Sequence, residues 1–210
     1  MPDGGTTGPK EMRKLYGARL CLDFANTVEP RAAQPQYDYL HGYSDLVRWA
    51  RHAGTLDDAV AERLLETAAA RRTAAEASFA TAITLREATY RVFAAIAHDA
   101  TPDGDDLDVL TRAYAEALGH ARLRPASDQL AWTWEDDALD RAWWPVARDA
   151  VELASAGPLD RVKQCPPGCA FLFFDTTKNR IRRWCSMDEC GGQEKAKRQT
   201  ARRRSARATA

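Results

Sequence analysis

The sequence predicts a mainly α-helical protein: a helical N-terminal domain with a short β-hairpin, plus a small C-terminal zinc-ribbon or treble-clef-like module. Two observations predict this fold class. Apolar residues recur at helical spacing in successive segments of the first three quarters of the chain. Four of the five cysteines then stand within 26 positions near the C-terminus. A chain of 210 residues is long enough for one good core and a small appended module.

The helical domain is expected at residues 11–155, after a disordered leader at residues 1–10 that is rich in Gly, Pro and Thr. The compact apolar segment RLCLDFANTV (19–28) is the predicted first core helix. Ser44 and Thr55 precede two further helical patterns and are predicted as their N-caps, because a hydroxyl there can accept a free backbone N–H.

Residues 77–98 form the most regular helical pattern, with apolar side chains over about half of the helical circle. Arg86 lies inside that apolar arc, where a guanidinium is unexpected. Two β-rich stretches, at 120–125 and 129–135, are predicted to form a hairpin. A last long helix of the body follows, with Pro145 either in its first turn or at a kink.

The cysteine-rich module is expected at residues 161–199, after a Gly-Pro linker at 156–160 and before a basic tail at 200–210. Its cysteines have the spacing C-x3-C, fifteen residues, C-x4-C: Cys165, Cys169, Cys185 and Cys190. Four thiolates complete the tetrahedral shell of a structural zinc ion, whereas a catalytic site keeps one position open. One structural Zn²⁺ is therefore favoured, with an iron–sulfur cluster or disulfides as alternatives.

Local patterns suggest how the module folds around this ion. Ser186 and Glu189 match a capping box at the start of a helix that carries the second cysteine pair. Asp175 and Asn179 are predicted as turn residues between two short strands. Trp184 is more typical of a small core than of an aromatic platform for a nucleic-acid base, although the second role stays open.

The net charge of zero conceals an uneven distribution. Residues 160–210 carry thirteen Lys or Arg and five Asp or Glu, a formal +8, and residues 1–159 carry −8. A zinc ion with four thiolates lowers the C-terminal value to about +6. A basic appendage of this kind indicates a polyanionic or acidic partner. The candidate nucleic-acid contacts are Arg180, Arg182, Arg183, Lys195, Arg198 and Arg202.

Three polar residues in apolar surroundings are candidates for a second site. Asp23 and Asn26 interrupt the first core segment, and Arg86 interrupts the long helix. Buried charges need partners, so one interpretation is an internal Asp23–Arg86 pair that fixes helix packing. The alternative hypothesis is a pocket in which the three residues bind a small-molecule effector.

The segment CPPGCAFLFFDTTKNRIRRWCSMDECGG resembles the bacterial CGNR-type zinc finger, and RLCLDFANTV is similar to the start of the ABATE domain that precedes such fingers. The resemblance implies a helical domain, a zinc finger and a role in transcription regulation. Gly192 and Gln193 replace the Asn and Arg that give the finger its name. If that Arg contacts phosphate in relatives, the contact is missing here.

These observations favour a non-enzymatic, bacterial, cytoplasmic regulator that binds nucleic acid, DNA ahead of RNA, with a helical domain that serves either as an interaction domain or as the sensor of a small-molecule effector. No apolar run is long enough to span a bilayer, and no signal-peptide pattern opens the chain, so no membrane partner is expected. The alternative is a zinc-stabilised interaction module that docks on an acidic protein or on a second copy, giving a homodimer.

Overall fold

Seven helices account for most of the described chain, which in this computed structural model comprises residues 11–134, 137–166 and 168–208. In chain order they are α1 Leu20–Ala25, α2 Tyr43–His52, α3 Asp58–Ala70, α4 Arg72–Ala97, α5 Gly104–His120, α6 Trp144–Ala156 and α7 Gly192–Ala208. None of these helices is both long enough and apolar enough to cross a membrane. The predicted leader at residues 1–10 lies outside the described residues.

Antiparallel hairpins of two strands each accompany the helices. The paired strands are β1 Val28–Glu29 with β2 Tyr37–Asp38, β3 Arg122–Ala126 with β4 Gln129–Thr133, and β5 Val162–Gln164 with β6 Leu172–Phe174. The β3–β4 pair confirms the hairpin predicted in the body. The β5–β6 pair belongs to the C-terminal module, so the predicted fold class is confirmed.

Two helices begin at positions other than those predicted. The predicted cap Ser44 lies inside α2, and Gly42 is the N-cap. Asp57, not Thr55, caps α3, since its carboxylate accepts the Val60 N–H over 2.8 Å. The Thr55 hydroxyl instead donates to a carbonyl at the end of α2. Both predictions were wrong by two residues, since α2 begins at a glycine without a side-chain cap and the Asp57 carboxylate caps α3 in place of the Thr55 hydroxyl.

The core forms around α1, which packs against α4 and α6. Leu22 and Phe24 of α1 are fully buried, and α4 contributes Leu85 and Phe93. This confirms both the predicted first core helix and the apolar face of the long helix. Pro145 lies in the first turn of α6, where its missing N–H leaves no intrahelical bond unmade.

At two of the predicted segment boundaries the regular backbone structure continues without a break. After α6 a short 3-10 turn, Leu159–Arg161, leads directly into β5 at the end of the predicted linker. Helix α7 runs through the predicted boundary between finger and tail at residue 199 without a break. The proposed limits 11–155, 156–160, 161–199 and 200–210 stay predictions.

The C-terminal module packs on the body through a reciprocal pair of hydrogen bonds. Asn26, directly after α1, donates from Nδ2 to the Leu172 carbonyl of β6 over 2.8 Å. The Leu172 N–H in turn donates to Asn26 Oδ1 over 2.9 Å. Leu172 and Val162 are also part of the apolar core of the body. Body and module therefore share one core. The Asn26 amide bonds both backbone groups of Leu172, as the backbone of a neighbouring strand would.

Backbone hydrogen bonds extend this junction on two sides. The Phe174 N–H donates to the Gly17 carbonyl over 2.7 Å, and the Arg31 N–H donates to the Cys169 carbonyl over 2.9 Å. Gly17 is itself tightly enclosed, because a Cβ there would lie 2.8 Å from the backbone nitrogen of Asp23. The N-terminal segment is thus held between α1 and the module.

Replacing Asn26 with Ala removes both bonds and leaves a buried N–H and a buried C=O of Leu172 without partners. We expect the free energy of unfolding to fall by about 2–4 kcal/mol, since each unsatisfied buried group costs about 1–3 kcal/mol. Urea denaturation of the zinc-loaded protein, followed by circular dichroism, measures this. Asn179→Ala, at an exposed turn position, is the matched control and should change stability by less than about 0.5 kcal/mol. Equal effects of the two substitutions would contradict the assignment.

Candidate metal centre and the basic surface beside it

Four cysteine sulfurs converge at the C-terminal module. Cys165 directly follows β5, Cys169 lies across a tight turn, and Cys185 and Cys190 come from the segment after β6. All four Sγ atoms lie within 4.8 Å of one another. The Cys169 and Cys185 sulfurs are 3.7 Å apart, and those of Cys185 and Cys190 are 3.6 Å apart. A disulfide needs about 2.05 Å, so these residues are free thiols.

This sulfur geometry fits a tetrahedral zinc ion. With zinc–sulfur bonds of about 2.3 Å, neighbouring sulfurs of a regular tetrahedron are about 3.8 Å apart. The distances of 3.6 and 3.7 Å are close to this value. Two of the cysteines are buried and two are half-buried, and four sulfurs complete the shell. The four cysteines therefore form a single zinc site, as the sequence predicts.

Hydrogen bonds among the thiols change their acidity before any metal binds. Contacts from Cys169 and Cys185 lower the pKa of Cys165 to about 4, and the contact with Cys165 raises the pKa of Cys185. Zinc binding requires all four thiolates and so releases the remaining protons. Cys21 lies in the core of the body, where burial raises its pKa and keeps it a neutral thiol.

The CPPGC segment folds locally into half of the site. Gly168 has a φ of +106°, a left-handed conformation that glycine adopts without steric penalty. The Cys165 N–H donates to the Phe171 carbonyl over 2.8 Å and closes the loop between the first two cysteines. The turn residues therefore bring Cys165 and Cys169 to the same side of the hairpin.

Ser186 begins the other half of the site, a single π-helical turn at Met187–Gly191 that carries the last cysteine. Its hydroxyl accepts the Glu189 N–H over 3.3 Å, as predicted. The predicted capping box is only half formed, because the Glu189 carboxylate accepts the Tyr16 hydroxyl over 2.6 Å and pairs with Arg13. The N-terminal segment therefore holds this turn against the body.

Asp175 organises the loop between the two cysteine pairs. It is fully buried and accepts the Thr177 N–H over 2.9 Å, as the turn prediction requires. It also accepts the Lys163 ammonium over 2.6 Å and the Arg182 N–H over 3.0 Å. Burial alone would raise the pKa of Asp175, but these bonds outweigh it and hold the pKa well below its usual range.

Arg182, a predicted nucleic-acid contact, turns into the module. Its guanidinium donates to the carbonyls of Trp184 over 2.9 Å and Tyr16 over 3.0 Å, and to that of Cys185. It also lies 4.5 Å from the centroid of the Phe173 ring. A phosphate could reach this guanidinium only after these contacts break, so Arg182 stabilises the loop and does not face a partner.

The other two arginines of this loop lie at the surface. Arg180 is exposed and forms an ion pair with Asp160, just before β5. Arg183 is exposed and makes no ion pair within the part of the chain that the structure describes. The loop therefore offers two exposed cations without an ion pair among the described side chains, Lys178 and Arg183.

Helix α7 carries the remaining candidates. Lys195 is exposed without an ion pair among the described side chains, and Arg198 is exposed with its Nε 3.8 Å from Glu194. Arg202 lies on the same helix, beyond the last described side chain. Lys197 is also exposed; sequence reasoning omitted it because the predicted stripe was built on positions 195, 198 and 202.

A groove of about 230 Å³ lies beside the cysteine cluster, and Trp184, Gln193 and Lys197 are among its lining residues. Trp184 is half-buried and packs on the small core of the module. A Cβ at Gly191 would lie 3.3 Å from the indole Cδ1, so the backbone approaches the ring closely there. These contacts confirm the core role predicted for Trp184.

Arg86 is buried in the body and pairs with Asp38. Nη1 and Nη2 donate to the two Asp38 oxygens over 2.7 and 2.8 Å, and Nε donates to Glu87 over 2.8 Å. The prediction of an Asp23–Arg86 pair was therefore wrong about the partner. No local pattern points to Asp38, which lies 48 residues away on the two-residue strand β2.

Asp23 has different neighbours. Its Oδ1 accepts the Gly17 N–H over 2.7 Å, and burial raises its pKa to about 6. Asp23 and Asn26 line a cavity of only about 20 Å³, and Arg86 does not line it. That volume is enough for roughly one water molecule. The structure thus separates Arg86 from Asp23 and Asn26, which the pocket hypothesis placed together.

A helical body joined to a closed four-cysteine site defines a zinc-finger protein. Residues 18–157 match the model of the ABATE family, whose description is "Putative stress-induced transcription regulator", and residues 161–203 match the CGNR zinc finger. The chain therefore belongs to the ABATE family and carries a CGNR zinc finger at its C-terminus. Both descriptions name a regulator or a zinc finger, not an enzyme. No curated protein matches the chain.

The zinc site predicts the metal content of cysteine variants. The wild-type protein should contain one zinc per chain, and Cys185→Ser should lose most of it, because three thiolates hold the ion less tightly than four. Cys21→Ala is the matched control and should keep one zinc per chain. Atomic absorption after dialysis against a mild chelator measures both. Equal zinc loss from the two variants would exclude the assigned ligand set.

The raised pKa of Asp23 predicts how stability depends on pH. The Asp23 carboxyl has a pKa of about 4 in the unfolded chain and about 6 in the native state. Between these two pH values the native state binds more protons, so the free energy of unfolding falls as the pH rises. From pH 5 to 7.5 the free energy of unfolding of the wild type should fall by about 1.4 kcal/mol relative to that of Asp23→Asn. Urea midpoints across this range measure the difference. Asp188→Asn, at an exposed position, should follow the wild type throughout.

Proposed function

We propose that this protein is a non-enzymatic, bacterial, cytoplasmic regulator that binds duplex DNA through α7 and the adjoining zinc-finger loop. The observation that carries the proposal is the composition of α7 together with the exposure of its described side chains. Its 17 residues include seven Lys or Arg and one Glu. The element it contacts most is the π-helical turn at the zinc site, which directly precedes it in the chain. A helix with so little apolar surface has no face to bury against its own body.

The dimensions of α7 favour DNA over RNA. A helix of 17 residues is about 25 Å long and about 10–12 Å wide. The major groove of B-DNA, about 12 Å wide, admits such a helix. The major groove of A-form RNA is too deep and narrow for side chains to read. DNA is therefore the proposed nucleic acid.

Cations on the outer side of the finger would supply the affinity. Arg183, Lys195, Lys197 and Arg198 are exposed, and phosphate contacts from such residues give affinity that does not depend on sequence. Arg202 follows Arg198 by four residues on the same helix. Arg180 and Arg182 are left out of the proposed interface because Asp160 and backbone carbonyls engage them.

Small-molecule sensing at Asp23, Asn26 and Arg86 is not part of the proposal. The cavity beside Asp23 and Asn26 is the size of one water molecule. Both the nitrogen and the oxygen of the Asn26 amide are already hydrogen-bonded to the backbone of Leu172. Arg86 is held by Asp38 and Glu87. Binding an organic effector at these residues would require breaking the junction between body and finger.

Fluorescence anisotropy with labelled random duplex DNA, across a salt series, tests the proposal. Removing three phosphate contacts in the variant K195A/K197A/R198A should weaken binding and reduce the slope of log K against log salt by about 3. The variant R48A/R72A/R112A removes three exposed cations from the helical body. As the matched control it should retain the wild-type slope.

Single-stranded RNA is run beside the duplex to separate the two nucleic acids. Absence of salt-dependent binding to either probe, at 50 mM salt and with one zinc per chain, would refute the nucleic-acid proposal. Cross-linking to acidic proteins would then test the alternative of a protein-docking module. A preference for the RNA over the duplex would contradict the proposal that α7 enters the major groove of DNA. It would still support the basic surface as the contact with nucleic acid.

A further inference from the structure

Helix α5 carries a stripe of partly exposed, mostly apolar side chains beside its buried face. Leu107 and Leu118 are each 40 % exposed, with Thr111 exposed and Tyr114 half-buried between them. The spacing i, i+4, i+7, i+11 places the four side chains within about 60° of one another around the helix. A separate face of α5, which includes Leu110 and is buried, packs against the body. α5 is therefore apolar on two faces, one of them open to solvent.

The β3–β4 hairpin adds a second apolar surface directly after α5. In its register Leu123 lies opposite Trp132, and Pro125 lies opposite Leu130, so these four side chains share one face. Leu123 is 48 % exposed and Leu130 is 64 % exposed. An isolated two-stranded hairpin is marginally stable in water. A partner on this face would bury large side chains that the body leaves exposed.

Charges at the two ends of α5 have opposite signs. The first turns carry Asp105 and Asp108, both exposed, and the positive end of the helix dipole favours carboxylates there. At the other end, His120 is the last residue of α5 and its ring stacks on Trp144. The charge beyond this end is Arg122, whose Nη1 donates to the Ala121 carbonyl over 2.7 Å. Two copies of α5 packed antiparallel would place each acidic end beside the basic end of the other. A parallel pair would bring like charges together.

We propose that the chain forms a two-fold symmetric dimer in which α5 packs antiparallel against α5 of a second copy. The midpoint of the stripe lies between Thr111 and Tyr114, so Leu107 of one copy faces Leu118 of the other. A two-fold interface uses the same patch twice and must be self-complementary, and the opposite charges at the two ends of α5 meet that condition. This inference is independent of the proposed DNA binding.

The hairpin completes the interface. A stable, specific interface buries about 800 Å² on each partner, more than a single stripe of four side chains supplies. In the antiparallel arrangement the C-terminal end of α5, and the hairpin that directly follows it, lie near Leu107 of the second copy. The exposed face with Leu123 and Leu130 can then contribute the additional apolar area.

Sedimentation equilibrium of the full-length, zinc-loaded protein from about 1 to 200 µM tests the proposal. The wild type should be a dimer at the upper concentrations. The variant L107E/L118E places carboxylates opposite each other across the two-fold axis and should raise the dimer dissociation constant by at least about 100-fold. Leu65→Glu, at an exposed leucine of α3, is the matched control and should leave the constant unchanged.

A charge-swap variant tests the orientation. In the antiparallel dimer, L107E/L118K places a carboxylate opposite an ammonium twice, and the dissociation constant should return to within about tenfold of the wild type. In a parallel dimer the same variant would place like charges together and stay dissociated. Far-UV circular dichroism and zinc content confirm that each variant is folded. A monomeric wild type over the whole range, or a dimer that L107E/L118E leaves intact, would overturn the proposal.

Discussion

The reciprocal hydrogen bonds between the Asn26 amide and the backbone of Leu172 determine how the rest of this protein is arranged. A strand at the edge of a two-stranded sheet has backbone groups that need partners when they are buried. Asn26 satisfies both groups of Leu172 at the point where α1 ends and β6 enters the body core. The finger is therefore packed into the body and is not an appendage on a flexible linker.

This junction divides the cations of the finger into two groups. Lys163 and Arg182 use their charges within the protein, because they bind a carboxylate, backbone carbonyls and an aromatic ring. Arg183 and the described basic side chains of α7 are instead exposed. Because some cations are already engaged, the formal +8 of residues 160–210 overstates the charge that a partner can meet. The exposed cations remain for a polyanion.

A backbone hydrogen bond at the same junction connects the zinc site to a partly buried ionic network in the body. Arg31 donates its backbone N–H to Cys169, and its side chain, which lies 4.3 Å from the Tyr90 ring centroid, pairs with Glu87. Glu87 and Asp38 both bind Arg86. Removing one partner from a buried pair leaves an uncompensated charge, so such networks tolerate little displacement. Loss of zinc would therefore disturb the β1–β2 region as well as the finger.

The sequence alone determined the features that depend on short-range spacing. The cysteine intervals predicted the zinc ligands, the apolar periodicity predicted the core helices, and CPPGC predicted the first turn, because neighbours along the chain are also neighbours in space. Tertiary structure decided the partner of Arg86, the inward turn of Arg182, the carboxylate bound by Arg180 and the open stripe on α5. Each of these depends on residues that are distant in sequence or on which helix face the body leaves uncovered. A local pattern shows that a side chain is charged or apolar, whereas only the packed chain shows what it touches.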